Sequence, residues 1–251
     1  GGRKSIHKED LDKLKKNKIN FFYKKFPHDK NFKTYMNKIS VSLNKIRTKY
    51  VMLFENDDFL IKSNINYCIK FLEKKPKLIG CGGYLINFSL YNTGQSKENK
   101  NLFGIPINIS KFKHGISYDL MGNINRTKFF LETKNPITSF NDILRTKNLR
   151  YTYKLTKNLE FSYIILYFFM ADILNYYQGR VLKLNLPTIL HQYNVSGLGS
   201  KMKTVYESLN DKKFIKEKKL LSNFLERKLN SKHIGKFMEK YFLNAKYNES
   251  F

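Results

Sequence analysis

Cysteine is nearly missing from this chain. Cys68 and Cys81 are the only two, both sit in apolar settings, and no CxxC spacing occurs. That speaks against a disulfide-stapled secreted protein and for a reducing compartment. Long apolar runs are missing too. The most apolar stretch, Tyr163 to Ala171, is ended by Asp172, and a helix that spans a bilayer needs about 20 residues. A buried core helix is expected there instead. No signal peptide is visible, so the expected location is cytoplasmic, with a peripheral place at the inner face of a membrane as an extension. There is no internal repeat and no nucleic-acid motif of defined spacing. Acids are scarce, 20 against 47 Lys and Arg, for a formal charge of +27 over 251 residues. Such a charge would suit nucleic acid, an anionic membrane surface or an acidic acceptor. Nearly all of it is Lys, whereas bidentate reading of bases or phosphates favours Arg. With Asn and Ile also abundant, compositional bias accounts for the charge as well, and nucleic acid is not an expected partner.

Against that background the segment Tyr50-Val51-Met52-Leu53-Phe54-Glu55-Asn56-Asp57-Asp58-Phe59-Leu60 stands out. Five apolar residues predict a buried strand, with three acids and an amide at its C-terminal end. Ligands of open α/β sheets bind at that end of a strand. Clustered carboxylates repel one another unless a cation or a donor sits between them. A divalent metal holding a diphosphate would fill that role; a solvated acidic turn is the plain alternative.

The flanking pattern is α/β. Upstream, Phe32, Tyr35, Met36, Ile39, Leu43 and Ile46 fall on one helical face. Downstream, Ser63 is a candidate cap for a helix with Ile65, Ile69 and Leu72 inward. Pro76 follows, and Leu78 to Ile86 reads as another strand. Lys97 to Lys100 and Lys111 to Lys113 read as polar loops, and Tyr91 to Asn101 as a mobile connection.

In this order of elements the chain resembles the GT-A glycosyltransferases, most closely the family-2 group of nucleotide-sugar transferases. Glu55-Asn56-Asp57-Asp58-Phe59-Leu60 stands where that family carries its DxD-type motif, with Glu in place of the usual first Asp. The resemblance implies Glu55, Asp57 and Asp58 as residues of the nucleotide and metal site, with Asp57 a metal ligand. It also implies a catalytic acid near the start of a later helix. Asn158-Leu159-Glu160-Phe161-Ser162 opens an apolar stretch, and Gly179 to Pro187 follows as the family's strand would. Glu160 is thus the implied general base, although Phe161 replaces the usual neighbouring Asp. An acid near a helix N-terminus, favoured by the macrodipole, is the structural alternative. His191, in His191-Gln192-Tyr193-Asn194, matches the basic residue that reaches the metal or the diphosphate, and is the second implied metal ligand. Ser196 to Ser200 reads as a loop able to close over a phosphate.

The resemblance spans about residues 18 to 200. Ile19 to Tyr23 looks like the family's third strand, after a basic helix through Leu11 and Leu14, so the resemblance implies that the first two strands and their helix are lacking. Residues 113 to 158 would hold the acceptor side, with His114, Tyr118, Asp119, Asn123, Asn125 and Arg126 as sugar contacts and tight turns at Gly115 and Gly122. From residue 201 onward, apolar residues recur at near-helical spacing among lysines. Those amphipathic helices either pack on the core or dock on an anionic membrane.

The expectation is an α/β fold, a GT-A (Rossmann-like) mixed sheet flanked by helices, over residues 1–200, with a basic helical extension over 201–251. The expected activity is metal-dependent, inverting transfer of a sugar from a nucleotide-sugar donor to a glycan or lipid-linked acceptor, with Mn²⁺ or Mg²⁺ as cofactor. A non-catalytic basic binding module on a degenerate transferase fold is the alternative from another class. A nucleotidyltransferase is a second enzymatic alternative, but no Gly-rich phosphate loop precedes the acids.

Overall fold

A computed structural model describes residues 6–18, 20–55, 58–90, 106–113, 117–133, 139–192 and 205–248. Expectations that fall on Ile19, Asn56, Asp57, Tyr91 to Asn101, His114, Gly115 and Tyr193 to Ser200 lie outside these residues. The first element, α1 (Lys8–Lys16), buries none of its residues. The second, α2 (Phe32–Lys45), arises from its apolar period and from a closed cap. Asn31 accepts from the Thr34 backbone N–H at 2.9 Å, and Thr34 Oγ1 accepts from the Asn31 N–H at 3.3 Å. Met36, Ile39 and Leu43 form its inward stripe.

Next come β1 (Tyr50–Val51), β2 (Phe59–Leu60), α3 (Lys62–Lys74), β3 (Leu78–Leu90), β4 (Pro106–Lys113), α4 (Asn123–Glu132), β5 (Ile143–Arg145), α5 (Thr146–Thr156), α6 (Ile164–Gln178) and β6 (Arg180–Gln192). The six strands make one mixed sheet in the order β1-β5-β3-β6-β2, with β4 paired to β3. Parallel pairing occurs between the long strands β3 and β6; the other ladders are antiparallel. The architecture is mixed α/β.

Side chains alternate across the sheet and divide the interior. Leu144 of β5 and Val181 of β6 face a large cluster with α2, α4, α5 and α6. Their neighbours Ile143 and Leu182 face the other way, with Cys81 of β3 and with Cys68 and Leu72 of α3. Both cysteines are buried and free. Eleven of the 15 residues of α6 are buried, which marks it as a core helix. Its polar members are satisfied inside: Asp172 accepts from the Ser139 N–H and Oγ–H at 2.7 and 2.6 Å, and Asn175 accepts from Thr152 at 2.6 Å. No helix among the described residues is long and apolar enough to cross a membrane.

One charged pair is buried on the face of the sheet that carries Leu144 and Val181. Lys183 of β6 binds Asp142, with side chains 4% and 2% exposed. A Cβ on Gly82 would sit 1.9 Å from Asp142 Oδ1, so glycine there is what lets the carboxylate lie against β3. Burial raises the Asp142 carboxyl above its usual range, and Lys183 pulls it back in part.

The C-terminal part forms α7 (Val205–Ser208), α8 (Lys212–Leu229) and α9 (His233–Asn248). Phe214, Leu221, Leu225, Ile234, Met238 and Phe242 join the same large cluster as α6. Each such side chain contributes about 1.5–3 kcal/mol on burial. Asp211 caps α8 by accepting from the Lys213 N–H at 2.8 Å, and Asn230 ends it in the left-handed region.

Several expectations need correction. The ladder after Tyr50 is two residues long and half-buried at the sheet edge, and Phe54 is exposed. Residues 20–23 form no strand, and Phe22 is exposed. Ser63 does not cap α3, whose N-cap is Ile61. Lys111 to Lys113 complete β4 instead of forming a loop.

Candidate functional site

The antiparallel ladder of β2 with β6 pairs Phe59 with Leu190 and Leu60 with Ile189. One step further along it, Asp58 comes opposite His191. Their side chains meet: His191 Nδ1 lies 2.7 Å from Asp58 Oδ1. The Asp58 side chain is fully buried, while that of His191 keeps 31% exposure. With Asp58 as acceptor, Nδ1 is the donor and Nε2 is the ring nitrogen left for another partner. A buried carboxylate thus holds the orientation of a half-exposed imidazole.

Glu55 completes the group. Donor atoms of Glu55, Asp58 and His191 all lie within 4.8 Å of one another. Glu55 is exposed, on the stretch between β1 and β2. Its charge is felt by Tyr35 of α2, whose phenol is raised first by burial and then by Glu55. Two carboxylates and an imidazole thus converge from two stretches of chain; as residue types, carboxylates suit cations such as Mg²⁺ and Mn²⁺, and imidazole suits transition metals. Of the residues named from the sequence, Glu55, Asp58 and His191 come together; Asp57 lies outside the described residues.

Glu160 stands elsewhere in the chain's course, on the loop between α5 and α6. It precedes the N-cap of α6, Tyr163, by three residues, so it is not in the first helical turn and the macrodipole reading of it does not hold. Its Oε2 accepts from Lys33 Nζ at 3.0 Å, and both side chains are well exposed, 61% and 45%. An exposed pair of this kind contributes little to stability, so the carboxylate can exchange Lys33 for another partner at small cost. Lys33 and Tyr35 are both in the opening turns of α2, so one helix end neighbours Glu160 and Glu55. The helical period singled out Tyr35 only as an inward residue, and nothing in the sequence marked Lys33.

The Glu160 loop is held from the other side by α8. Ser162 N–H donates to Glu217 Oε2 at 2.8 Å, and Tyr163 Oη–H donates to Asp211. Tyr167 fixes the loop from within, donating to the Leu159 carbonyl at 2.9 Å and accepting from the Phe161 N–H at 3.0 Å.

The residues expected on the acceptor side have other work. Arg126 is buried and donates to the Tyr176, Leu120 and Tyr177 carbonyls at 2.8, 3.0 and 3.1 Å, closing the C-terminal end of α6. Tyr118 is fully buried among Phe129, Phe130 and Tyr176. Asp119 pairs with Arg180. Asn123 accepts from the Ile124 N–H, and Asn125 donates to Met121. Gly122, at φ 81, does take the turn expected of it, as the N-cap of α4.

A cavity of about 490 Å³ opens beside the edge strand β1. Tyr23, Phe26, Ile39, Leu43, Val51 and Leu53 are among its lining. Compared with protein-family models and with curated proteins, the chain matches none.

Proposed function

We propose that this chain is a metal-dependent glycosyltransferase that moves a sugar from a nucleotide-sugar donor to an acceptor hydroxyl with inversion. The observation that carries the reading is the convergence of Glu55, Asp58 and His191 at the end of the β1 segment. That is where the sequence resemblance to GT-A transferases puts a DxD-type motif and its basic partner. The order of elements supports it as well: helix, strand, acids, helix, then the long strand β3, to which the later long strand β6 runs parallel.

In this reading Glu55 and His191, with Asp57, hold Mn²⁺ or Mg²⁺, and Asp58 keeps the imidazole in place. The bound ion would offset the negative charge that builds on the leaving nucleoside diphosphate. Glu160 takes the proton from the acceptor hydroxyl as that oxygen bonds to the anomeric carbon and the bond to the diphosphate breaks. Lys33 keeps Glu160 oriented until the acceptor displaces it.

The test is release of nucleoside diphosphate from a panel of UDP-, GDP- and dTDP-sugars with Mn²⁺ or Mg²⁺, and transfer to glycan and lipid-linked acceptors. Release that depends on metal and falls in Glu160→Gln is the expected result. Equal release by wild type and by a variant lacking both Glu55 and His191 side chains would sink the reading.

A further inference from the structure

The outward face of α8 differs from every other basic surface described above. At 100° per residue, Lys212, Lys213, Ile215, Lys216, Lys219, Leu220, Asn223 and Arg227 fall on one continuous stripe. All eight are exposed, with Ile215 at 46% and Leu220 at 43%. The opposite stripe, through Phe214, Leu221, Phe224 and Leu225, is buried. The stripe carries five cations to one acid, Glu226, which falls near its edge between Ile215 and Lys219 and is half-buried beside Gly235. Glu217 is buried against Ser162, and Asp211 caps the end.

General lysine richness does not produce this arrangement. On α1 the lysines alternate with acids and pair with them, Lys13 with Asp10 and Lys15 with Asp12, both at 3.8 Å. That is a solvated helix face. Among the described residues no such pairing occurs for the stripe's cations, which repel one another along about 22 Å of helix. Two exposed aliphatic side chains among them add a cost in water. Both costs are relieved together at a surface that is anionic and has an apolar layer just beneath.

We propose that the outer face of α8 is a docking surface for anionic phospholipid, with the helix lying in the membrane plane. Lys212, Lys213, Lys216, Lys219 and Arg227 meet the headgroup charge, and Ile215 and Leu220 enter the boundary of the acyl region. Aliphatic residues instead of aromatic ones between the cations favour lipid over single-stranded nucleic acid, which is held by base stacking. The proposal stands on the helix alone and does not rest on the transferase reading.

Flotation of the full chain with phosphatidylcholine vesicles, with and without phosphatidylserine, tests it. Binding should require phosphatidylserine and weaken as salt is raised. Each lysine near such a surface contributes about fivefold in partition, so Lys212→Gln, Lys216→Gln, Lys219→Gln together should lose about 100-fold. The matched variant on α1, Lys13→Gln, Lys15→Gln, Lys16→Gln, removes the same charge and should stay within about fivefold of wild type. Equal loss in the two variants would mean that only net charge matters and would overturn the docking face. Ile215→Ser with Leu220→Ser should lower partition at unchanged charge; unaltered partition would overturn the lipid assignment in favour of a general polyanion such as RNA. The altered side chains are solvent-facing, and circular dichroism checks that each variant keeps its helices.

Discussion

Asp58 and His191 are 133 residues apart in the chain and 2.7 Å apart in the fold, because the short ladder between β2 and β6 brings them opposite one another. The pair fixes where the imidazole can point. His191→Ala should lower Mn²⁺ affinity, measured by calorimetry, and Asp58→Asn should do so through loss of orientation, by about 10- to 100-fold. Calorimetry that gives the same affinity for all three proteins would remove His191 from the donor set.

Glu160 is tested by a change that keeps shape and removes basicity. Glu160→Gln should lower kcat by about 10²- to 10⁴-fold and leave donor KM near its wild-type value. Lys33→Met should shift stability by less than about 1 kcal/mol, since the pair is exposed. A wild-type rate in Glu160→Gln would leave Glu160 as a surface acid.

Asp142 and Lys183 should behave as a buried pair. Lys183→Met leaves the buried carboxylate without its cation and should cost about 3–5 kcal/mol in chemical denaturation at neutral pH, with Asp142→Leu plus Lys183→Met recovering most of it. The folded state holds the Asp142 proton more tightly than the unfolded chain, whose carboxyl titrates near 3.8. That contribution is full below the unfolded value and is lost as pH rises through the folded one. Wild type should therefore gain stability relative to Asp142→Asn on acidification; a relative loss would show that Lys183 outweighs burial.

Alkali should unfold the protein through its tyrosines. Tyr241 is pushed up to about 12, first by burial and then by Asp172, and burial raises Tyr153 and Tyr176 well above the usual phenol value as well. Because these phenols ionise later when folded, their contribution is intact below about pH 10 and disappears above it. The melting temperature should drop steeply beyond that point, with phenolate absorbance rising in step with unfolding. Phenolate forming before any loss of helix would contradict this.

The sequence was most legible where structure is local. The α2 period is written within 16 residues, and β3 and α6 follow from largely apolar stretches. Pairing is not local, which is why the stretch after Tyr50 read as a buried strand although only two residues find a partner. Hydropathy alone also hides Lys183, since a lysine in a strand reads as outward-facing until Asp142 arrives from another strand. Glu55, Asp58 and His191 were legible as residue types at strand ends. That Asp58 would turn toward His191 was not, because the rung that joins them depends on the register of β2 against β6. Lys33 gave no signal at all, being one lysine among many.

The two hydrogen bonds from the 162–163 backbone and phenol into α8 make that helix a two-sided part. Its inner side, through Glu217 and Asp211, braces the loop that carries Glu160; its outer side faces away from the protein. A rigid rod cannot shift one side and leave the other behind. Any load on the outer lysines, or any cut of the chain before Asp211, is therefore felt at a loop whose carboxylate pairs with an exposed lysine.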